Sequence, residues 1–188
     1  MRIQIVIGSV RLGRVGPQIA KWVNDVVSSR YPCELVDLKD WKLPMDDEPN
    51  LPAEGGYISA HILSWSKKIS EADAYIFVFP QYNWGYPAAL KNAIDHLYKE
   101  WNNKPVAMVS YANRGGGKAA LQLRQVLQGL HMNVTETNVE IKLSEVDFSK
   151  TTADEVYPVS LSRYEGILNE ALSQIANSKA PLKFRVSR

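Results

Sequence analysis

Residues 80–87 read Pro-Gln-Tyr-Asn-Trp-Gly-Tyr-Pro and combine aromatic rings, amides and two prolines in one short stretch. Tyr82 and Trp84 offer ring faces, Asn83 offers an amide, and the prolines at either end restrict the backbone. These groups suit a flat ring with polar edges, so we interpret the stretch as a cradle for a flavin. The alternative is a turn at the edge of the core that buries a few aromatic side chains.

A second candidate is the stretch of residues 8–18, Gly-Ser-Val-Arg-Leu-Gly-Arg-Val-Gly-Pro-Gln, between an apolar run and a helical pattern. Free backbone amides and the dipole of the following helix favour an anion at such a turn. Ser9 can donate from its hydroxyl, and Arg11 and Arg14 can add charge-assisted hydrogen bonds. The stretch has neither a Walker ending nor G-x-G-x-x-G spacing. We predict a phosphate site, with an ordinary strand-to-helix turn and two solvated arginines as the alternative.

The third candidate is the stretch of residues 110–117, Ser-Tyr-Ala-Asn-Arg-Gly-Gly-Gly. Three consecutive glycines let backbone amides approach a ligand closely. Amides facing the N1–C2=O edge of a flavin would stabilise the negative charge that gathers there on reduction, without an acidic side chain. The alternative is a glycine-rich, hairpin-like loop with no ligand.

The elements that must position these stretches follow from hydrophobic periodicity. Strands are predicted at residues 3–7, 33–38, 74–79, 104–110 and 132–143. Helical patterns alternate with them, among them residues 57–70, 88–97 and 160–177. Strands one, three and four are almost continuously apolar, which is typical of strands covered on both faces. We predict an α/β, flavodoxin-like, doubly wound five-stranded parallel sheet with strand order 2-1-3-4-5 and helices on both faces.

In such a sheet the loops after strands one, three and four share the carboxyl edge, where ligands bind at the switch point. The three candidate stretches would therefore line one site. Residues 39–56 form a long loop beside it, rich in proline, glycine and charge, and long loops in compact domains are commonly functional. Trp41 and Met45 in that loop are predicted to form part of a substrate wall or a subunit contact.

Composition restricts the remaining possibilities. A chain of 188 residues with 45% hydrophobic content predicts one globular domain over residues 1–180, with a basic tail at residues 181–188. A net charge of +2 without a clustered basic patch argues against a nucleic-acid partner. No apolar run reaches the length of a membrane span and no leader pattern is visible, so we expect no membrane association. Because Cys33 is the single cysteine, no intrachain disulfide can form, and a cytoplasmic location is expected.

Other polar residues give no catalytic or metal pattern. The acidic run Asp46-Asp47-Glu48 is interpreted as a solvated patch rather than a metal site. The three histidines lack metal spacing, and no Ser-His-Asp or Cys-His set is visible: these are His61, His96 and His131. An apolar stripe on the helix after residue 87 is interpreted as core: Leu90, Ile94, Leu97 and Trp101.

Three motifs together resemble the NADPH-dependent FMN reductase family of flavodoxin-like quinone, azo-dye and chromate reductases. They are Gly8-Ser9-x-Arg11, the Pro80-x-Tyr82-Asn83 loop with residues 90–95 after it, and the glycine-rich third loop. The resemblance implies that FMN phosphate is held by Ser9, Arg11, Arg14, Val15, Gly16, Pro17 and Gln18. It implies that the isoalloxazine is lined by Pro80, Gln81, Tyr82, Asn83 and Trp84. It also implies that the pyrimidine side is closed by Ser110, Tyr111, Gly115 and Gly116.

The resemblance further implies a reductase that uses bound FMN and transient NAD(P)H. Hydride would pass from NAD(P)H to flavin N5, and two electrons would then go to quinones, azo compounds or metal oxyanions. No catalytic side chain is expected, because the cofactor carries the chemistry. The family also implies a homodimer or tetramer, with part of the apolar stripe between residues 90 and 101 as a dimer seam. Two alternatives stay open from the residues: a flavodoxin-type electron carrier, and an FMN-binding protein whose redox state controls a partner.

Overall fold

The computed structural model describes residues 1–45, 48–149 and 157–178. Five parallel strands form one sheet in the order β2-β1-β3-β4-β5, which confirms the predicted flavodoxin-like topology. The strands are β1 Ile3–Ile7, β2 Cys33–Asp37, β3 Ala74–Pro80, β4 Pro105–Ala112 and β5 Asn133–Lys142. The helices are α1 Gly16–Ser28, α2 Ala60–Ser70, α3 Ala88–Asp95, α4 Gly117–Gly129 and α5 Glu165–Ser178, the last preceded by a 3₁₀ segment at Val159–Tyr164.

Two hydrophobic cores lie on opposite faces of the sheet. On one face, Ile3, Ile5 and Ile7 of β1 pack against α1 and α5. On the other face, Tyr75 and Phe77 of β3 pack against α2, α3 and α4. Every residue of β1 and β3 is buried, and each large apolar side chain contributes about 1.5–3 kcal/mol on burial. Burial on both faces explains the continuous apolar runs in the central strands.

The apolar stripe that begins on α3 belongs to the second core. Leu90, Ile94, Leu97 and Trp101 are all buried within the single chain. The Trp101 indole donates a hydrogen bond to the Ile94 carbonyl at 3.1 Å. The core interpretation is therefore confirmed, and these four side chains cannot form a subunit seam.

Two boundaries differ from the prediction in ways that affect the candidate site. Strand β4 continues to Ala112 because it keeps pairing with both neighbours, Tyr111 with Pro80 of β3 and Ala112 with Lys142 of β5. Ser110 and Tyr111 are therefore strand residues, and the third loop begins only at Asn113. The last helix is also shorter than predicted, since a 3₁₀ segment occupies its expected first turn.

The long loop after β2 is tied to the sheet's helical layer. The Glu48 carboxylate accepts hydrogen bonds from the backbone amides of Ile58 and Ser59, at 2.9 and 2.7 Å. It therefore neutralises the positive N-terminus of α2, so the solvated-patch interpretation is wrong for Glu48, while Asp46 and Asp47 lie outside the described residues. Among the described residues no His, Cys, Asp and Glu group is arranged to hold a metal ion. None of the helices seen there has the length and apolar character needed to cross a bilayer.

Candidate cofactor site

The loops after β1, β3 and β4 meet at the carboxyl edge of the sheet and enclose a cleft of about 410 Å³. Seven of the predicted residues line it: Arg11, Arg14, Val15, Pro80, Gln81, Tyr82 and Tyr111. Five further residues complete the walls: Leu12, Gly13, Ala112, Asn113 and Leu143. The convergence follows from the topology, because β1, β3 and β4 are adjacent and parallel.

Hydroxyl groups gather at the base of this cleft. Ser9 is fully buried, and its Oγ lies 2.8 Å from the Oη of Tyr82. Tyr111 is 3% exposed, and within the described part of the chain its Oη has no hydrogen-bond partner. A Cβ on Gly16 would lie 2.7 Å from that oxygen, so only glycine fits at the start of α1. Burial raises the pKa of Tyr111, which keeps its phenol protonated and able to donate.

The N-terminus of α1 is open to an anion. Val15 at the N-cap makes no side-chain capping bond, and the first turn holds no acidic residue. No hydrogen bond links the amides of residues 9–16 to an acceptor in the described residues. Pro17 lies at the start of the helix, where its missing N–H costs nothing. Unpaired amides and the helix dipole together favour a phosphate here.

The two arginines of the first loop have different surroundings. The guanidinium of Arg14 is mostly buried and binds Asp37 at two points, 2.6 and 2.5 Å, and its Nη1 also donates to the Ser9 carbonyl. The hydrogen bonds that Arg14 donates to the Asp37 carboxylate raise the pKa of Arg14. Arg11 is exposed, and its guanidinium carbon lies 5.2 Å from the centroid of the Tyr82 ring. Arg11 is thus the cation available to a ligand, whereas Arg14 ties β2 to the loop.

The aromatic turn has a left-handed backbone. Tyr82 and Gly85 exchange backbone hydrogen bonds of 2.8 and 2.9 Å, and between them Asn83 and Trp84 have φ values of 47° and 69°. Asparagine tolerates this conformation, but a bulky tryptophan is strained by it. The Trp84 side chain is 64% exposed, with the Lys118 ammonium over its ring. A turn that buries aromatics is therefore the wrong interpretation for Trp84.

The glycines of the third loop pack against protein rather than against the cleft. A Cβ on Gly115 would overlap Oε1 of Glu140, and one on Gly116 would lie 2.6 Å from the Ser110 Cβ. Ser110 is fully buried and accepts a hydrogen bond from Asn138 at 3.1 Å. Ser110, Gly115 and Gly116 do not line the cleft, and their assignment to the flavin pyrimidine stays a prediction.

Gln81 connects the second loop to the third. Its backbone amide donates to the Tyr111 carbonyl at 2.8 Å. Its Oε1 accepts from the amides of Lys118 and Ala119, at 3.1 and 3.2 Å, at the start of α4. The side-chain oxygen of Gln81 therefore caps the N-terminus of α4, and the side-chain NH₂ is the group left to contact a ligand.

Several contributors to the site were not predicted from the sequence. Asn113 lies two residues before the glycines, within the loop that the sequence already indicated. Leu143 follows β5 with no distinguishing pattern around it, and reaches the cleft because β5 lies beside β4. Asp37 ends β2, where its register with Ile7 of β1 places it near Arg14.

The observed donors fit an FMN molecule. A phosphate matches the open N-terminus of α1 and the exposed Arg11 guanidinium, while the Ser9 and Tyr111 hydroxyls are buried nearby. A flat ring matches Tyr82, which lines the cleft, whereas Trp84 is exposed and lines the neighbouring cavity beside α4. The buried Tyr111 hydroxyl without a partner is the feature that a bound oxygen would satisfy.

Comparison with known proteins agrees with this architecture. Residues 1–143 match the family described as NADPH-dependent FMN reductase. An NAD(P)H-dependent FMN reductase of Schizosaccharomyces pombe is 42% identical over 179 residues, which cover 93% of this chain and 88% of that protein. A quinone reductase of Pseudomonas putida is 30% identical over 141 residues, covering 69% of this chain and 71% of that protein. The solved structure of FerB, an NAD(P)H:(acceptor) oxidoreductase of Paracoccus denitrificans, superposes with a TM-score of 0.75 at 19% identity over 94% of this chain and 98% of FerB.

The fold thus defines a flavodoxin-like protein with a cleft at the switch point of its sheet, where ligands bind in folds of this class. Within that class, the chain belongs to the NADPH-dependent FMN reductase family. The predicted family is confirmed, and with it the enzyme class: an NAD(P)H-dependent FMN reductase rather than an electron carrier.

Proposed function

We propose that this chain binds FMN in the cleft, is reduced there by NAD(P)H, and delivers two electrons to a quinone or a related small acceptor. The observation that carries the proposal is the buried Tyr111 hydroxyl, which lacks a partner among the described residues. It lies beside the open N-terminus of α1. Family membership and the names of the relatives support both the cofactor and the acceptor class.

The phosphate end of the cleft is held by backbone and hydroxyl donors. The amides of residues 9–16 have no hydrogen-bond acceptor in the described chain, and Ser9 and Tyr111 add hydroxyls. Arg11 supplies charge from the exposed side. Arg14 positions the loop through Asp37 and does not need to touch the phosphate.

At the ring end, the protein supplies surface and orientation. The Tyr82 to Trp84 turn meets one edge and face of the flavin and leaves the other face open to dinucleotide and acceptor in turn. When bound, FMN supplies two-electron redox chemistry at N5. The described cleft lining contains no carboxylate and no imidazole, so the protons that the reduced acceptor takes up come from the flavin and from water.

The proposed electron acceptors are quinones, and azo compounds and metal oxyanions are proposed as further acceptors. Trp41 and Met45 border a second, mainly apolar cavity of about 360 Å³ beside Val10 and Ala88, which suits a flat apolar acceptor. We also propose a homodimer or tetramer, because Leu12, Met45 and Trp84 expose apolar surface in the loops at this edge.

The decisive experiment is an absorption spectrum of the purified protein before and after anaerobic NADPH. A bound yellow chromophore that bleaches with NADPH and recovers when a benzoquinone is added supports the proposal. Protein that neither carries nor binds FMN would contradict it. Flavin that is bleached by dithionite but not by NADPH would instead indicate a carrier.

A further inference from the structure

A groove of about 730 Å³ lies beside the candidate flavin cleft, between α4 and the face of β5. Gln81 lines both spaces, and Trp84 borders the groove where the two adjoin. The volume lies within the range of small-molecule sites, about 300–1,000 Å³. A ligand that reaches the flavin ring could therefore extend into the groove without leaving the protein surface.

The end of the groove near the cleft is electropositive. Arg114 and Lys118 face it and are exposed, and neither forms an ion pair with a carboxylate in the described part of the chain. Lys118 lies over the Trp84 ring instead. Arg124 also lines the groove, and it is fixed by donating to the carbonyls of Thr135 and Glu136 at 2.7 and 3.1 Å.

Two carboxylates in the same groove do not cancel this charge. Glu140 packs against Gly115 and Gly117, where it faces the positive end of α4. Glu136 extends from the middle of β5, beside Arg124. Neither Arg114 nor Lys118 is paired with these carboxylates among the described residues, and three cations line the groove against two carboxylates: Arg114, Lys118 and Arg124 against Glu136 and Glu140.

From its charge, size and continuity with the cleft, we infer that the groove binds the adenosine 2′-phosphate half of NADPH, with Arg114 and Lys118 on its phosphates. The inference rests on the proposed function. It gives the remote part of the dinucleotide a binding surface while the nicotinamide lies over the flavin. Binding energy from such remote groups lowers the barrier to hydride transfer only when the reacting ring is also positioned.

Calorimetric titration of the FMN-loaded protein with 2′,5′-ADP tests the groove without catalysis. We expect Arg114→Met and Lys118→Met each to raise the Kd for 2′,5′-ADP by about tenfold, as expected for loss of one charge-assisted contact. Lys67→Met removes the same charge from exposed α2 surface and should leave the Kd unchanged. 5′-AMP, which lacks the 2′-phosphate, should bind more weakly than 2′,5′-ADP to the unmodified protein.

A kinetic comparison separates this inference from the proposed function. In the two groove variants, the ratio of kcat/KM for NADPH to that for reduced nicotinamide mononucleotide should fall about tenfold. Equal Kd values for 2′,5′-ADP in all proteins would overturn the inference. So would a change in sedimentation mass with unaltered Kd, which would make the groove a contact between copies. If no nicotinamide donor reduces the flavin, the proposed function fails, yet 2′,5′-ADP binding still decides the groove.

Discussion

Arg14 and Asp37 form a two-point ion pair that joins the end of β2 to the loop after β1. Both side chains are mostly buried, at 10% and 20% exposure. The pair fixes the loop whose amides form the candidate phosphate site, because Arg14 also binds the Ser9 carbonyl.

Asp37→Asn should destabilise the protein by about 2–3 kcal/mol, because it leaves the Arg14 guanidinium buried without a countercharge. Urea unfolding of the apoprotein measures this change. Asp95→Asn provides the control, since its pair with Lys91 is exposed and should contribute under about 1 kcal/mol. Equal effects of the two substitutions would mean that the buried pair has no special role.

Tyr111→Phe should weaken FMN binding by about five- to tenfold, because one hydrogen bond to the phosphate is lost. Stability of the apoprotein should change little, since the Tyr111 hydroxyl makes no hydrogen bond of normal geometry within the described residues. Flavin fluorescence titration and urea unfolding report the two quantities separately. In the matched variant Tyr75→Phe the hydroxyl does have partners, Ile69 and Lys104, so we expect the opposite pattern: reduced stability and normal FMN affinity.

Trp84→Gly should relieve left-handed strain and raise apoprotein stability by up to about 1 kcal/mol, since glycine adopts a φ of 69° freely. Turnover of the FMN-loaded enzyme should nevertheless fall, because the exposed ring is lost from the mouth of the site. Asn83→Ala is measured alongside it for FMN affinity and for turnover. A loss of FMN affinity would indicate that Asn83 holds the cofactor, whereas a loss of turnover at normal FMN affinity would indicate contact with the substrate. A Trp84→Gly protein that is both less stable and fully active would contradict this account.

Gly115→Ala should cost more than about 2 kcal/mol, because its φ is 94° and the new Cβ would overlap the Glu140 carboxylate. The reference substitution is Gly13→Ala, where φ is 67° but nothing lies within 4 Å, so only the backbone strain of about 1 kcal/mol remains. Thermal unfolding of both proteins gives the comparison. Combining Gly115→Ala with Glu140→Ala should recover part of the loss, and an absence of recovery would show that the clash is not with Glu140.

Alkaline pH should unfold the protein through its buried phenols. Burial raises the pKa of Tyr57, Tyr75 and Tyr111 above the ordinary value of 10.0. The unfolded chain therefore loses these protons first, so that the stability contributed by these three phenols is constant below about pH 10 and falls as the pH rises beyond it. Phenolate absorbance should show these tyrosines ionising only together with the loss of far-ultraviolet circular dichroism. Ionisation of Tyr57, Tyr75 or Tyr111 near pH 10 while the protein is still folded would contradict the burial of these three side chains.

Much of this architecture could be predicted because its causes are local in sequence. Strands covered on both faces are predicted by two apolar runs, at Ile3–Ile7 and at Ala74–Pro80. The helical patterns between the strands predict parallel crossover connections. The loops at the carboxyl edge, with Ser9, Arg11 and Tyr82, could be assigned to one site for the same reason.

The pairings between distant residues could not be predicted. Arg14 meets Asp37 because of the β1–β2 register, which no local pattern around either residue specifies. The glycines at 115–117 were expected to serve a ligand, whereas the structure places Glu140 and Ser110 against them. A glycine in the sequence indicates that a side chain would not fit at that position, but it does not identify the group that packs there.

The exposed indole in the left-handed turn gives this enzyme a built-in optical reporter. Of its five tryptophans, Trp22, Trp65 and Trp101 are buried, at 2% exposure or less, whereas Trp84 is 64% exposed. Iodide, a charged collisional quencher excluded from the interior, therefore reaches Trp84 far more readily than these three. The tryptophan emission that iodide quenches therefore reports on the surroundings of Trp84. A ligand that covers this side chain should reduce the quenching, and the quenching should return when the ligand dissociates.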